Sequence, residues 1–125
     1  MPKKRKILLV EDDLFLADLY QTNLEVQGYK VDHARDGAIA CRKISRSKYD
    51  LILLDLLLPK VNGFKVLEKI RKHQSQKPRC CVIVLTNLSQ TEEMKKGEKM
   101  GADEYLIKAN FTPQEIIDKI KTRLS

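Results

Sequence analysis

The chain has 125 residues, 42% of them hydrophobic and 33% charged, which is typical of one globular domain; no apolar run approaches the roughly 20 residues that a membrane-spanning helix requires. Its 24 Lys and Arg residues exceed its 17 Asp and Glu residues, but they are spread along the sequence without an aromatic stacking motif, a zinc finger or a helix-turn-helix, so we expect no nucleic-acid partner. The three cysteines form no CxxC pair, which argues against a disulfide framework or a zinc site and is typical of thiols in a reducing cytoplasm.

Five short apolar runs alternate with amphipathic stretches from one end of the chain to the other. The strands that they predict cover residues 7–10, 30–34, 51–55, 81–86 and 104–107. Strands of a parallel sheet are covered on both faces and read as continuous apolar runs, whereas the helices between them show apolar residues every three or four positions. The pattern therefore predicts an α/β domain in which five strand and helix units build a parallel sheet.

The first three helices have recognisable ends. Gly28 follows an amphipathic stretch where a left-handed C-terminal cap is favoured, so the first helix ends at about Gln27. Asp36 begins the second helix, and Asn62 or a neighbour begins the third. Both residue types are favoured at helix starts because their short side chains accept hydrogen bonds from the first free amides.

The last two helices carry capping signals at their first residues. Ser89 and Glu92 have the spacing of a capping box, which places the start of the fourth helix there, and Gly101 follows its end. Thr112 and Glu115 have the same spacing with a proline between them, so the fifth helix begins directly after Thr112. Because the fourth helix has few large apolar residues, we expect it to be the most loosely held of the five.

Polar side chains stand at the ends of four predicted strands. Glu11 and Asp12 follow the first strand, Asp55 closes the third, Thr86 closes the fourth and Lys108 follows the fifth. The carboxyl ends of parallel strands meet at one edge of the sheet, where ligands of this architecture bind. Carboxylates gathered there repel one another unless a cation neutralises them, and oxygen ligands without His or Cys favour Mg²⁺. We therefore predict a Mg²⁺ site at this edge.

A carboxylate beside such an ion can act as a nucleophile toward phosphorus. In that case Asp55 becomes an acyl phosphate, Lys108 stabilises charge on the transferring oxygens, and the hydroxyl of Thr86 hydrogen-bonds a phosphoryl oxygen and so senses its presence. Each residue also has a purely structural interpretation, since an Asp can cap a turn, Thr is common in strands and Lys often pairs with a surface carboxylate. The functional hypothesis depends on the four strand ends taken together.

Four segments of the chain have a distinctive order and spacing, namely ILLVED at residues 7–12, DLLLP at 55–59 followed by Asn62 and Gly63, VLT at 84–86 and GADEYLIK at 101–108. In these segments the chain resembles the response regulator receiver domains of two-component signalling, the CheY-like superfamily. The resemblance covers essentially the whole chain. It implies a single doubly wound, flavodoxin-like (βα)5 domain with a five-stranded parallel sheet of order 2-1-3-4-5, with the receiver domain over residues 1–125 and no output domain.

The resemblance also implies a role for each residue at the strand ends. Asp55 is the implied phosphoacceptor, Lys108 is the implied phosphate-binding lysine, and Thr86 and Tyr105 form the implied switch. Asp13 is better assigned to the start of the first helix. The implied Mg²⁺ ligands are the side chains of Glu11, Asp12 and Asp55 and the backbone carbonyl of Leu57.

Three features depart from the pattern of the family. Ala109 follows Lys108 where the family usually has a proline joined by a cis peptide, and Asn87 follows the switch hydroxyl where the family usually has a small residue. Leu57 and Leu88 are apolar at positions that govern how a hydrolytic water reaches the aspartyl phosphate. Neither leucine can orient a water molecule, so we expect slow self-dephosphorylation.

The resemblance implies a cytoplasmic signalling protein and not an enzyme that turns over a separate substrate. A histidine kinase or a phosphotransfer protein would supply the phosphoryl group. An output protein would bind the surface formed by the fourth helix, the fifth strand and the fifth helix. The only catalysis expected is the domain's own phosphoryl transfer and dephosphorylation, and the oligomeric state is open.

Two other functions fit parts of the pattern. Asn87 and Ala109 suggest a receiver-like module that binds a protein partner without being phosphorylated. A phosphohydrolase of the haloacid-dehalogenase type also uses an Asp nucleophile at a strand end, but it needs a second Asp two residues later, where this chain has Leu57. The phosphohydrolase is therefore the weaker alternative.

Overall fold

The computed structural model describes residues 4–73 and 79–125 and confirms the predicted α/β architecture. The described residues form the strands β1 (Lys6–Val10), β2 (Lys30–Ala34), β3 (Leu51–Leu54), β4 (Cys81–Thr86) and β5 (Glu104–Ile107). All neighbouring strands are parallel, and the sheet has the order β2-β1-β3-β4-β5 that the family resemblance implied. Because β1, β3 and β4 lie side by side, the residues that follow them meet at one edge of the sheet.

The helices of the described chain are α1 (Leu14–Val26), α2 (Gly37–Arg46), α3 (Gly63–His73), α4 (Thr91–Lys99) and α5 (Pro113–Leu124), with a short 3₁₀ helix (Lys108–Asn110) between β5 and α5. Helices α1 and α5 cover one face of the sheet, and α2 and α3 cover the other. Alternate residues of a strand point to opposite faces. Accordingly, Ile7 and Leu9 of β1 pack under α1 and α5, whereas Leu8 and Val10 pack under α2 and α3.

Most of the predicted helix ends are confirmed. The Oδ1 of Asp13 accepts hydrogen bonds from two backbone amides of α1, and the Oδ1 of Asp36 caps α2 by accepting one from the Ile39 amide. Gly28 follows α1 with a φ of 98°, a conformation that residues with a Cβ rarely adopt. At α5, the Thr112 hydroxyl accepts from the Glu115 amide while the Glu115 carboxylate accepts from the Thr112 amide, which completes the predicted capping box.

The predicted start of α4 is wrong. Ser89 and Glu92 form no capping box, because the helix begins at Thr91 and its N-cap residue is Gln90, which makes no side-chain capping bond among the described residues. The first backbone bond of the helix runs from the Met94 amide to the Gln90 carbonyl. The loop before α4 is instead hydrogen-bonded at Leu88 to Thr86 of β4 and to Tyr105 of β5, as described below.

Two smaller predictions can be compared with the structure. The third strand ends at Leu54, one residue before the predicted end, although the Asp55 amide still donates to the Val10 carbonyl. All three cysteines are free; Cys80 is buried, whereas Cys41 and Cys81 are only half-buried. Of the helices in the described ranges, not one has the length and apolar character needed to cross a bilayer.

Candidate functional site

Asp55 lies at the carboxyl edge of the sheet, directly after β3, and is only 6% exposed. Its Oδ1 accepts a hydrogen bond of 3.0 Å from the Leu57 amide. Its Oδ2 accepts one of 2.9 Å from the Lys108 ammonium. The carboxylate is therefore oriented through both of its oxygens, one by its own loop and one by a side chain from the end of β5.

Glu11 occupies the equivalent position after β1 and is 2% exposed. Its Oε1 lies 2.7 Å from the Lys108 Nζ, and its Oε2 accepts a hydrogen bond of 3.0 Å from the Asp13 amide. Lys108 thus joins the ends of β1 and β3 from the far side of β4. The predicted ends of β1, β3 and β5 therefore meet at one place, whereas the side-chain hydrogen bond of Thr86 is made with its own loop.

Burial and charge together set the protonation of this cluster. Burial raises the pKa of Glu11 above its ordinary value, and the hydrogen bond and charge of Lys108 only partly offset that rise. Burial alone would lower the pKa of Lys108, but its hydrogen bonds with Glu11 and Asp55 outweigh burial and raise that pKa to about 12. Lys108 is therefore a fully charged partner for the two carboxylates at neutral pH.

Three carboxylates at this edge could hold a metal ion. Glu11, Asp12 and Asp55 each offer one oxygen, and these oxygens lie within 4.8 Å of one another. Glu11 and Asp55 are buried, whereas Asp12 is exposed and opens the group to solvent. In the described part of the chain the cluster sets three carboxylates against the single Lys108 ammonium, a formal charge of −3 + 1 = −2. An all-oxygen set with this charge fits a hard divalent cation.

Two hydrogen bonds hold the loop after β4 at Leu88. The hydroxyl of Thr86, which is fully buried, accepts a hydrogen bond of 3.3 Å from the Leu88 amide. The hydroxyl of Tyr105 donates one of 2.6 Å to the Leu88 carbonyl. The ring of Tyr105 also packs against Gly97, where an added methyl group would come within 2.9 Å of Cδ2. The two residues predicted to form a switch are therefore linked through one loop residue.

The two residues that depart most from the family pattern contact each other. The Ala109 amide donates a hydrogen bond of 3.0 Å to the Oδ1 of Asn87. Asn87 follows Thr86 at the end of β4, and Ala109 follows Lys108 just beyond the end of β5. This bond ties together the loops that carry the predicted sensing hydroxyl and the predicted phosphate-binding lysine.

His33 is a residue at the site that the sequence analysis did not single out. Its Nε2 lies 2.7 Å from the backbone carbonyl of Glu11, next to the end of β1. His33 is paired with Leu9 in the register between β1 and β2, and only that register brings its ring to Glu11. Leu57 is 53% exposed, and its amide is bound by Asp55; the assignment of its carbonyl as a metal ligand stays a prediction.

Comparisons with known proteins agree with this architecture. The family model described as "Response regulator receiver domain" matches residues 7–121. The chain is 38% identical over 119 residues to the response regulator ArlR of Staphylococcus saprophyticus, with 95% of this chain and 52% of that protein covered. It is 40% identical over 119 residues to a CpxR homologue of Haemophilus influenzae, with 95% and 50% covered. The chain therefore spans about half the length of the curated relatives it matches.

Solved structures share the fold along nearly the whole chain. A CheY-like receiver domain protein from Methanospirillum hungatei superposes with a TM-score of 0.88 at 31% identity and covers 98% of this chain and 94% of its own. The receiver domain of response regulator 1452 from Francisella superposes with a TM-score of 0.82 at 32% identity, with 96% of both chains covered.

Proposed function

This chain belongs to the family of response regulator receiver domains, and from that premise we propose that Asp55 accepts a phosphoryl group from a phosphohistidine donor in a Mg²⁺-dependent reaction. The observation that supports this proposal best is the position of Lys108, whose ammonium lies within 2.9 Å of both Glu11 and Asp55 at the carboxyl edge of the sheet. A fixed cation beside a buried carboxylate is what a transferring phosphoryl group requires.

Each side chain of the cluster has a distinct role in that reaction. An oxygen of Asp55 attacks phosphorus, and the P–N bond of the donor breaks as the new P–O bond forms. Lys108 hydrogen-bonds the oxygens of the transferred group and balances their charge. The carboxylates of Glu11, Asp12 and Asp55 and the carbonyl of Leu57 would hold Mg²⁺, which would supply positive charge to neutralise the phosphoryl oxygens.

Thr86 and Tyr105 report the result of the transfer. In this proposal the Thr86 hydroxyl moves toward Asp55 to donate to a phosphoryl oxygen, and that movement weakens the 3.3 Å hydrogen bond that it accepts from the Leu88 amide. Releasing Leu88 loosens the loop whose carbonyl holds the Tyr105 hydroxyl. Tyr105 then turns inward, and the surface around α4 changes shape.

A histidine kinase or a phosphotransfer protein is the proposed donor, and it must dock beside Asp55. Large apolar side chains are exposed near the carboxyl edge of the sheet, with Leu14 and Phe15 at the start of α1 being 65% and 77% exposed and Leu57 being 53% exposed. Exposed apolar groups around a buried acceptor favour a protein donor that excludes water from the transfer. We assign this docking to the rim around Asp55.

The proposed output surface is the face formed by α4, β5 and α5. Lys95, Lys96, Lys99 and Lys121 are exposed there, whereas Lys119 is half-buried and lies 3.5 Å from Glu104. Such a basic surface fits an acidic partner. The proposed catalysis is limited to the domain's own phosphoryl transfer and dephosphorylation, and the proposed location is the cytoplasm.

The proposal is tested by intact-mass spectrometry after incubation with acetyl phosphate. The wild type should gain the mass of one phosphoryl group with Mg²⁺ and none without it, and Asp55→Asn should gain none. Asp18→Asn, which removes an exposed carboxylate of α1, is the matched control and should be modified like the wild type. Modification of Asp55→Asn, or modification of the wild type without a divalent cation, would contradict the proposal.

The raised pKa of Glu11 gives the metal site a predicted pH dependence. Because burial raises this pKa, Glu11 takes up a proton at a higher pH than an exposed glutamate does, and the protonated form cannot bind a cation. Mg²⁺ affinity should therefore fall as the pH is lowered from neutrality toward that pKa. Isothermal titration across this range checks it, and an affinity that did not change until the pKa of an exposed glutamate would contradict it.

A second candidate function is a module that binds its partner without phosphorylation. The hydrogen bond between Asn87 and Ala109 favours it, because this bond connects the loop after β4 to the loop after β5 and opposes movement of either. The two functions differ in one result. The wild type would show no mass gain with acetyl phosphate and Mg²⁺, and no spectral change with beryllofluoride, if the module were the whole function.

A further inference from the structure

A hydrogen bond between Asn87 and Ala109 connects the segments that follow β4 and β5. The Ala109 amide belongs to the first turn of the short 3₁₀ helix Lys108–Asn110, and the first amides of a helix have no partner within it. Asn87 supplies that partner from another strand end, with an N···Oδ1 distance of 3.0 Å. The amide is satisfied by a side chain 22 positions away in the sequence, and so the bond connects two loops that share no local structure.

The bond lies next to the point where the two strands stop pairing. Thr86 and Ile107 are partners in the register of β4 and β5, and Asn87 and Lys108 are the residues that follow them. Beyond this pair of residues, β4 and β5 are no longer paired by backbone hydrogen bonds. The bond from Ala109 to Asn87 continues the connection for one more step, through a side chain in place of a backbone carbonyl.

The residue fixed by this extra connection is Lys108, which immediately precedes Ala109. Its ammonium reaches back to Glu11 and Asp55 at 2.7 and 2.9 Å, across the end of β4. A long side chain holds such a position more readily when its backbone is anchored, since Lys has many rotamers to lose. The closing bond of the 3₁₀ helix, from the Phe111 amide to the Lys108 carbonyl, is long at 3.4 Å, so Asn87 provides the shorter link.

We propose that Asn87 is a positioning residue for Lys108: by accepting the Ala109 amide it holds the loop after β5 so that the lysine ammonium faces Asp55. This inference rests on the proposed function, because it concerns how Lys108 meets the phosphoryl group. It also gives a purpose to Ala109, since a proline at that position has no amide to donate. Asn87 and Ala109 therefore act as a pair.

Both residues are exposed, which limits what the bond does for overall stability. Water competes for an exposed donor and acceptor, so the effect of the bond is local: it restricts where the loop can go while the sheet and helices stay intact. A variant that loses the bond should consequently fold as the wild type does. This makes the role of the bond testable without unfolding the domain.

The test compares two ligands of the same site. Beryllofluoride mimics the phosphoryl group that Lys108 holds, whereas Mg²⁺ alone binds the carboxylates. Asn87→Leu keeps the size of the side chain and removes the acceptor, and it should weaken binding of beryllofluoride, followed by fluorine NMR with saturating Mg²⁺, roughly threefold to tenfold, as expected for loss of one hydrogen bond. Its affinity for Mg²⁺ alone should be no weaker than that of the wild type.

The matched control is Asn110→Ala, which removes an exposed asparagine from the same loop and should leave both affinities unchanged. A double-mutant cycle with Ala109→Pro tests the pair itself. Because the proline variant has already lost the bond, adding Asn87→Leu to it should change beryllofluoride affinity by less than about twofold. The amide resonance of Ala109 should shift upfield in Asn87→Leu and stay in place in Asn110→Ala, which reports the bond directly.

Three results would overturn the inference. They are equal beryllofluoride affinity in Asn87→Leu and the wild type, a parallel loss of Mg²⁺ and beryllofluoride affinity in Asn87→Leu, and full additivity in the cycle. Failure of the proposed function looks different, because then the wild type itself binds no beryllofluoride in the presence of Mg²⁺. In that case the positioning role falls with the function, although the Ala109 resonance still reports the hydrogen bond.

Discussion

The two helices that flank β5 are held in opposite ways. Helix α5 begins with the reciprocal capping box and buries four large side chains, namely Ile116, Ile117, Ile120 and Leu124. Of the residues of α4, every one of which the structure describes, only Gly97 is buried, and the helix begins without a side-chain cap. One edge of the sheet therefore carries a firmly anchored helix and a weakly anchored one. The weak helix is the one that follows the strand of Thr86.

A small domain with two helices held so differently can change one surface and keep its fold. Regions with few buried apolar contacts open at a lower free energy than the core around them. Helix α4 meets that description, and it is joined to the site through Leu88 and Tyr105. A change at Asp55 can thus move α4 while α5 and the sheet keep their positions, and the following predictions test this comparison.

The largest expected difference is in the free energy of unfolding when each helix loses an apolar anchor. Ile120→Ala removes a fully buried side chain of α5 and should cost about 2–5 kcal/mol. Met94→Ala removes a half-buried side chain of α4 and should cost less than about 1 kcal/mol. Urea unfolding measures both. Equal losses of unfolding free energy would mean that α4 is anchored as firmly as α5, which would contradict the difference between the two helices.

Gly97 gives the next largest effect. Gly97→Ala improves helix propensity by about 1 kcal/mol, but its methyl group would come within 2.9 Å of the Tyr105 ring, and such overpacking typically costs about 1–3 kcal/mol. We expect a net loss of stability in the wild type and a gain of up to about 1 kcal/mol in a Tyr105→Ala background. If Gly97→Ala has the same effect in both backgrounds, then the ring does not limit this position.

Capping should produce a smaller contrast. Thr112→Ala removes the side-chain cap of α5 and should cost about 1 kcal/mol of unfolding free energy. Ser89→Ala, two residues before α4, is the matched control and should have no measurable effect, because the N-cap residue of α4 is Gln90. Thermal and urea unfolding of both variants check the contrast. If Ser89→Ala lost as much unfolding free energy as Thr112→Ala, Ser89 would cap α4 as the sequence predicted.

The last prediction concerns pH and the two adjacent thiols. Burial raises the pKa of Cys80 to about 12 and that of Cys81 to about 11, from 9.0 for a free thiol. The native chain keeps protons that the unfolded chain loses above pH 9.0, so the free energy of unfolding should fall as pH rises from 9.0 through these pKa values. Urea unfolding below and above pH 9.0 should show a weaker fall in Cys80→Ala than in the wild type. If the unfolding free energy falls equally in Cys80→Ala and in the wild type, the pH dependence comes from groups other than Cys80.

The strands and the α5 cap were predictable because their causes are local. A strand covered on both faces needs a continuous apolar run, and four of the five strands end at the predicted residue while the other, β3, differs by one. The capping box of Thr112 and Glu115 forms within one helical turn, so its spacing in the sequence is sufficient. At Ser89 the same spacing gave a wrong prediction, because contacts from Thr86 and Tyr105 to Leu88 fix the loop before α4.

The candidate site was predictable in part for a similar reason. Topology alone brings the ends of β1, β3 and β5 to one edge, so the meeting of Glu11, Asp55 and Lys108 could be foreseen. The contact of His33 with the Glu11 carbonyl, and that of Ala109 with Asn87, could not, since each depends on the register of neighbouring strands and on where one side chain points.

Lys108 behaves as a counterion that the protein supplies to itself. Because its ammonium is tethered to the fold, its effective concentration beside Glu11 and Asp55 is fixed by the backbone and does not vary with the solution. Any cation that enters the cluster competes with this tethered charge, and its apparent affinity reflects the difference between the two. Removing the ammonium in Lys108→Ala should therefore tighten Mg²⁺ binding, although the variant loses the hydrogen bonds of the lysine to a phosphoryl group. Without metal, Lys108 offsets the charge repulsion among the carboxylates of the cluster. It also limits how strongly a metal ion can bind them.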